Sequence, residues 1–386
     1  MKKNKKRTKK VFKLNAKTII ILTIVIFALI SITATYAWFS LVRRLEIVGF
    51  KVKIEIAENL QISLDGEIWT NSINIEDMRQ LYGTYRDKDT TTVALQSRTN
   101  DQRNYIPTEV LPVSTVGNVE NGNLVFVTGN IDGKKLTEIK KCSEDDVTKG
   151  ATIKNKESNN KNHPYLAFDI YLRNLSRLTE DGRRDPLQLN ESSMVTATKE
   201  GTGLEHSVRV GFVLYDPTVD LSASGAEIRA IQPNGNERVA IWEPNYKSHT
   251  AYTIKNDERI ISKLQEIETY GIKDNVGGAL PTEITDITNS NDTALGKVYT
   301  NKAPQVEDTE NETQLPETTE IFQLKEIDGT TNLSLKPNQI AKVRVYIWIE
   351  GQDPDCIDLS STGQQINATI RLIKPEYRHL ITNTYT

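Results

Sequence analysis

Four acidic side chains, Glu350, Asp353, Asp355 and Asp358, crowd the turn that follows a long apolar run. Carboxylate oxygens gathered this closely are the hard ligands that calcium prefers, so the turn is a candidate calcium site, although its spacing lacks the order of an EF-hand loop. A solvated acidic turn is the alternative, and Glu144, Asp145 and Asp146 admit the same two readings. The four histidines, His163, His206, His249 and His379, include no pair at metal-ligand spacing, and HExxH, GxSxG, GxGxxG and P-loop patterns are absent. With only two cysteines, Cys142 and Cys356, a zinc site of cysteine clusters is excluded by count. In an oxidising compartment the two could form a disulfide worth about 3 to 5 kcal/mol, closing a loop of more than two hundred residues; two separate thiols are the alternative. No residue is singled out as catalytic or cofactor-binding, and the chain is expected not to be an enzyme.

Strands must position these groups. Phe50, Val52, Ile54 and Ile56 alternate with Lys51, Lys53 and Glu55, the period of a half-buried strand. Leu60, Ile62 and Leu64 repeat the pattern, and Asp65-Gly66 supplies the positive backbone angles of a tight hairpin turn before Ile68-Trp69. Further strands are predicted over 124–128, 165–173, 208–215, 238–242, 320–325, 341–349 and 365–373. Within 341–349, Val343, Val345, Ile347 and Ile349 face one side while Arg344, Tyr346 and Trp348 face the other. Both faces are therefore expected to be partly covered, which favours a two-sheet sandwich. Helices are few: one over 257–270, where Ile260, Ile261, Leu264 and Ile267 form an apolar stripe ended by Gly271, and one over 75–81 before Gly83. The stretch 281–319, rich in Thr, Asn, Asp and Glu, reads as a long surface loop. Within it, Leu315-Pro316-Glu317-Thr318-Thr319 looks like a sortase signal, but Thr stands where the final Gly belongs and no hydrophobic segment follows.

The N-terminus decides the broad class. Residues 1–17 hold nine Lys or Arg and no acid, and removing those nine charges from a net of -3 leaves -12 on the remainder of the 386 residues. A basic leader thus precedes an acidic body, and no basic stripe with interleaved aromatics follows Arg44, so nucleic acid is not an expected partner. From Ile19 to Ile32 eleven residues are Ile, Leu, Val or Phe. A helix from Thr18 to Trp38 would measure about 31 Å, close to the hydrocarbon thickness. Eleven such side chains give an insertion term of about -3 to -7 kcal/mol, and the flanking cations place the N-terminus inside and the body outside. Thr35-Tyr36-Ala37 offers a signal peptidase its small residues, with cleavage between Ala37 and Trp38. Against cleavage, Trp38 and Phe39 suit an interfacial anchor and Arg43-Arg44 a stop; retention and removal both stay open.

Ala34-Thr35-Tyr36-Ala37-Trp38-Phe39-Ser40 resembles the export signal of a group of Gram-positive surface proteins and, more distantly, that of the TasA and camelysin biofilm-matrix proteins. The same group carries an Asn-Leu-Gln-Ile-Ser-Leu-Asp-Gly segment, matched by Asn59 to Gly66, and a Trp-Ile-Glu-Gly-x-Asp-x-x-Cys segment, matched by Trp348 to Cys356. The resemblance covers about thirty residues and implies a secreted jelly-roll able to polymerise. The expectation is a mainly β chain: a basic leader over 1–17, a transmembrane or signal helix over 18–39, and a jelly-roll-like β-sandwich ectodomain with a few inserted helices over 40–386. Expected partners are the membrane, a signal peptidase, and other copies or other surface proteins. The leading expectation is a non-enzymatic surface or matrix protein; the alternative is a membrane-anchored binding or sensing module in which Trp242, Trp348 and tyrosines supply stacking surface. Cleavage after Ala37 would free Trp38–Ala57 to complete another subunit's sheet, unless Phe50 to Ile56 pairs within its own domain.

Overall fold

The computed structural model describes residues 47–56, 59–82, 110, 112–132, 135–142, 164–176, 183–198, 204–244, 250–255, 258–264, 270–274, 278–287, 289, 291–298, 301–302, 322–327, 331–353, 355–356 and 364–374. The basic leader, the expected span, the Ala37-Trp38 cleavage candidate, the sortase-like segment, Asp358, His163, His249 and His379 lie outside these residues. Among the described residues no helix is long and apolar enough to cross a membrane.

Strands dominate, in several sheets. The two largest draw on β1 (Ile47–Ile56), β2 (Leu60–Ser63), β3 (Ser72–Asn74), β4 (Leu166–Asn174), β5 (Gln188–Leu189), β6 (Met194–Ala197), β7 (Val208–Asp220), β8 (Arg238–Glu243), β9 (Asn301–Lys302), β10 (Phe322–Gln323), β11 (Gln339–Ile349) and β12 (Gln364–Ile373). The first sheet runs β10-β5-β12-β1-β3, with β6 also on β12; the second runs β9-β8-β7-β11-β4-β2. Most pairings are antiparallel, but β1 lies parallel to β12, with Val52 opposite Ala368 and Ile54 opposite Ile370. Residues 50–56 therefore pair within their own chain.

Alternation explains how the sheets meet. Val52 and Ile54 of β1 and Ile366 and Ile370 of β12 join Phe168, Ile170, Val210, Phe212, Val343 and Val345 of the second sheet in one buried cluster. Each such side chain contributes about 1.5 to 3 kcal/mol when fully buried. The opposite face of the second sheet is covered as well. Tyr346 and Trp348 sit in a second cluster with Val113, Leu124 and Phe126, and the Phe126 and Trp348 rings meet edge to face at 5.3 Å. Strand β11 is accordingly buried on both sides, as its two apolar faces imply.

Helices are scarce. Helix α1 (Ile75–Tyr82) forms where expected. The Asn74 side chain accepts from the amides of Glu76 and Asp77, and Asp77 accepts from the Asn74 amide, while Ile75 and Met78 point inward. The helix expected over 257–270 is not there: Thr250–Lys255 and Glu258–Leu264 form an antiparallel hairpin, and Tyr270–Ile272 is a strand. Ile260, Ile261 and Leu264 satisfy a helical stripe, and it is the pairing with Thr250–Lys255 that makes the segment a strand. The loop expected over 281–319 contains Glu283–Ile284, Leu295–Lys297 and β9, each short and paired to another segment.

The Asp65-Gly66 turn is wider than a two-residue hairpin, since the return pair is Ile62 with Thr70 and β3 then joins β1 in the other sheet. The buried Asp65 carboxylate accepts from the amides of Glu67 and Ile68, and the Ser63 hydroxyl accepts from the Gly66 amide. Gly66 has φ +74°, and a Cβ there would lie 2.8 Å from Cγ2 of Ile228 on helix α2 (Gly225–Arg229). Gly66→Val should therefore destabilise the protein by more than about 1 kcal/mol, through backbone strain and this clash together. Chemical denaturation of both proteins checks it; an unchanged midpoint would remove the turn from the account.

Candidate functional site

The acidic turn after β11 is buried, and it faces a cation that the protein supplies. On β7, Val208 and Val210 take the inner face, so Arg209 points outward into the second layer, next to Glu243 at the end of β8. Nη2 of Arg209 lies 2.6 Å from the Glu243 carboxylate and 2.6 Å from that of Asp353. Nη1 donates to the backbone carbonyls of His206 and Val208 at 2.9 and 3.0 Å. Burial disfavours the guanidinium charge, but the carboxylates of Glu243, Asp353 and Glu350 more than restore it and hold its pKa above the usual arginine value.

Glu350 shares the site. Its carboxylate accepts from the Ser114 hydroxyl, from Nε1 of Trp348 at 3.2 Å and from the Gln352 amide at 3.1 Å. Burial nonetheless dominates and pushes its pKa up to about 7, against the pull of Ser114 and Arg209. The Asp353 carboxylate also accepts from the Asp355 amide at 2.8 Å, shaping the turn. Asp355 is fully buried, 3.5 Å from Nδ1 of His206, whose Nε2 faces Glu205 at 3.6 Å. Three of the four expected calcium ligands are thus turned inward around Arg209 and His206. Among the described residues no group of three or more His, Cys, Asp or Glu is arranged to hold a metal ion.

A second buried cluster lies farther along β11. Arg344 grips Asp169 of β4 in a bidentate pair, Nε to Oδ1 at 2.8 Å and Nη2 to Oδ2 at 3.0 Å. Lys342 approaches the same carboxylate at 3.1 Å and stands 4.8 Å over the Tyr215 ring. The Asn123 side-chain oxygen accepts from Arg344 and, at 3.3 Å, from the Tyr346 hydroxyl, which itself accepts from the Leu124 amide. Burial pushes the Tyr346 phenol up to about 12.

Both clusters do the same mechanical work. Ser114 and Asn123 belong to the segment that covers the outer face of the second sheet, and their bonds to Glu350 and Arg344 fasten it there. Val113 adds backbone bonds, donating to Ile349 and accepting from Gly351. Of the two readings left open for Cys142 and Cys356, no disulfide joins them: both are thiols, with Cys356 in the cluster shared by the sheets and Cys142 against the outer cluster. Those clusters lie on opposite faces of the second sheet, and a disulfide needs Cα atoms within about 7 Å.

Sequence reasoning found the acidic turn but missed its partners Arg209, Glu243 and Ser114, and it missed Asp169. A signal existed for the cations. Arg209 and Arg344 are long cations inside runs of Val, Phe and Ile, and a face that also carries Trp348 must be covered. No family model, curated protein or solved structure matches the chain.

Two outcomes test this site. Arg209→Met removes the guanidinium that Glu243 and Asp353 share, and should cost about 3 to 5 kcal/mol; calcium and a chelator should leave the native melting temperature unchanged. A lower melting temperature in chelator would return the turn to cation binding. For Glu350 the folded pKa lies above the ordinary 4.5, so the native state holds the proton more firmly than the unfolded chain. Its contribution is full below about pH 4.5 and is lost as pH rises through about 7, a change on the order of 3 kcal/mol. Glu350→Gln should flatten stability over that window relative to the native protein. Parallel pH profiles for the two would show that Glu350 does not titrate there.

Proposed function

We propose that this chain is an exported, non-enzymatic surface or matrix protein that acts through protein–protein contacts, tethered by its N-terminal helix or released by cleavage between Ala37 and Trp38. The observation that carries the reading is the nine-cation leader ahead of an uncharged span and an acidic, strand-rich body. Two features of the body agree with it. Its buried cations Arg209, Lys342 and Arg344 are engaged by carboxylates of the same sheet and of the turn that follows it, and β1 enters the first sheet a few residues after the leader and span. The finer architecture we propose is a two-sheet sandwich of jelly-roll kind, supported by the cluster shared between the sheets, with the parallel β1–β12 seam as its departure from that type.

A binding module built on Trp242 and Trp348 is the weaker reading, because both indoles are fully buried and offer no stacking surface. Association through residues 50–56 is weaker too, because they already pair with β12.

Protease added to intact, wall-stripped cells should digest the body while a cytoplasmic marker survives. N-terminal sequencing of the cell and medium fractions should then read either the intact leader or Trp38. Protection of the body together with the marker would reverse the orientation.

A further inference from the structure

Strand β12 is the hub of the first sheet. It pairs with β1 in parallel and with β5 and β6 antiparallel. Without it little is left: β10 meets β5 over two residue pairs, and β3 meets β1 over three. The second sheet, by contrast, is complete upstream, since its last strand ends at Ile349.

The order of synthesis therefore separates the two sheets. A chain emerging N-terminus first releases β1 early, but the partner of Ile47 is Gln364, more than three hundred residues later. Pairing over such a separation carries a large loop-closure cost and comes late in folding. Until then Phe168, Ile170, Val210, Phe212, Val343 and Val345 lack the apolar layer that Ile54, Ile366 and Ile370 bring to them. Without that layer the second sheet has only its outer cluster, around Phe126, Tyr346 and Trp348, to set against the entropy of ordering the body.

We propose that β12 is a closing strand: the body stays unfolded, and so able to pass a translocation channel, until residues up to 373 have joined β1. A stable domain then forms only after the segment through residue 373 has crossed. This rests on the exported reading above, yet the closing step is a property of the body and can be tested apart from export.

The full chain and a chain stopped after Gly363 are purified in detergent with leader and span intact, unfolded in urea, diluted and given protease. The full chain should yield a resistant body, and the shortened chain should be cut on the order of tenfold faster or more, since cleavage follows the opened population. A synthetic peptide of residues 364–374 added during dilution should restore resistance to the shortened chain. The same peptide carrying Ile370→Asp, which places a carboxylate in the shared core, should not. Resistance of the shortened chain without peptide would overturn the proposal, and so would failure of the native peptide to restore it. Neither readout involves a cell, so failure here leaves the exported reading standing, and protection of the body in intact cells would remove that reading without touching this one.

Discussion

Burial of the second sheet on both faces is the constraint from which the rest follows. A strand such as β11 has no solvated side on which to keep Lys342, Arg344 or the acidic turn that follows it. Every charge there needs an opposite charge or several donors, because an unpaired buried ion costs far more than any single contact returns. Asp169 answers Arg344, while Glu243 and Asp353 answer Arg209. The acidic turn therefore folds inward: Asp353 meets the Arg209 guanidinium, Glu350 accepts from Ser114, Trp348 and Gln352, and Asp355 faces His206.

Buried pairs of this kind add little net stability compared with apolar residues of similar size. Their consequence is register. A slip of one residue between β4 and β11 would turn Arg344 into the apolar cluster and carry Val343 or Val345 out of it, since successive side chains point to opposite faces. The bidentate bond to Asp169 makes that slip costly. The polar anchors Ser114 and Asn123 extend the same logic to the covering segment, which lies over the sheet at one position because its bonds reach fixed groups.

The first sheet is organised differently. Its strength lies in the parallel seam between β1 and β12, and its outer edges are the short strands β10 and β3. On its side away from β12, β1 is paired with β3 only over Lys53–Glu55, so the seam with β12 is what holds it. A strand that looked available to a neighbouring subunit is instead spent inside its own domain.

Local periodicity alone determined a good deal here. Alternation placed β2, β4, β8, β11 and β12 within a residue or two and β1 from Phe50 to its end, and the Ile75 helix was legible from the Gly83 stop that follows it, because these signals depend on neighbours in the chain. The mainly β class and the double covering of β11 followed from the same patterns. The region 257–270 was misread because Ile260, Ile261 and Leu264 fit either period, and only pairing with Thr250–Lys255 resolves that ambiguity. The tertiary structure alone decided which strands meet: nothing in residues 47–56 names 364–373 as their partner, and nothing in the acidic turn names Arg209, since both contacts join segments more than a hundred residues apart. The fate of Asp353 turned on that contact, because a carboxylate's chemistry is set by what faces it, and what faces it is decided by packing.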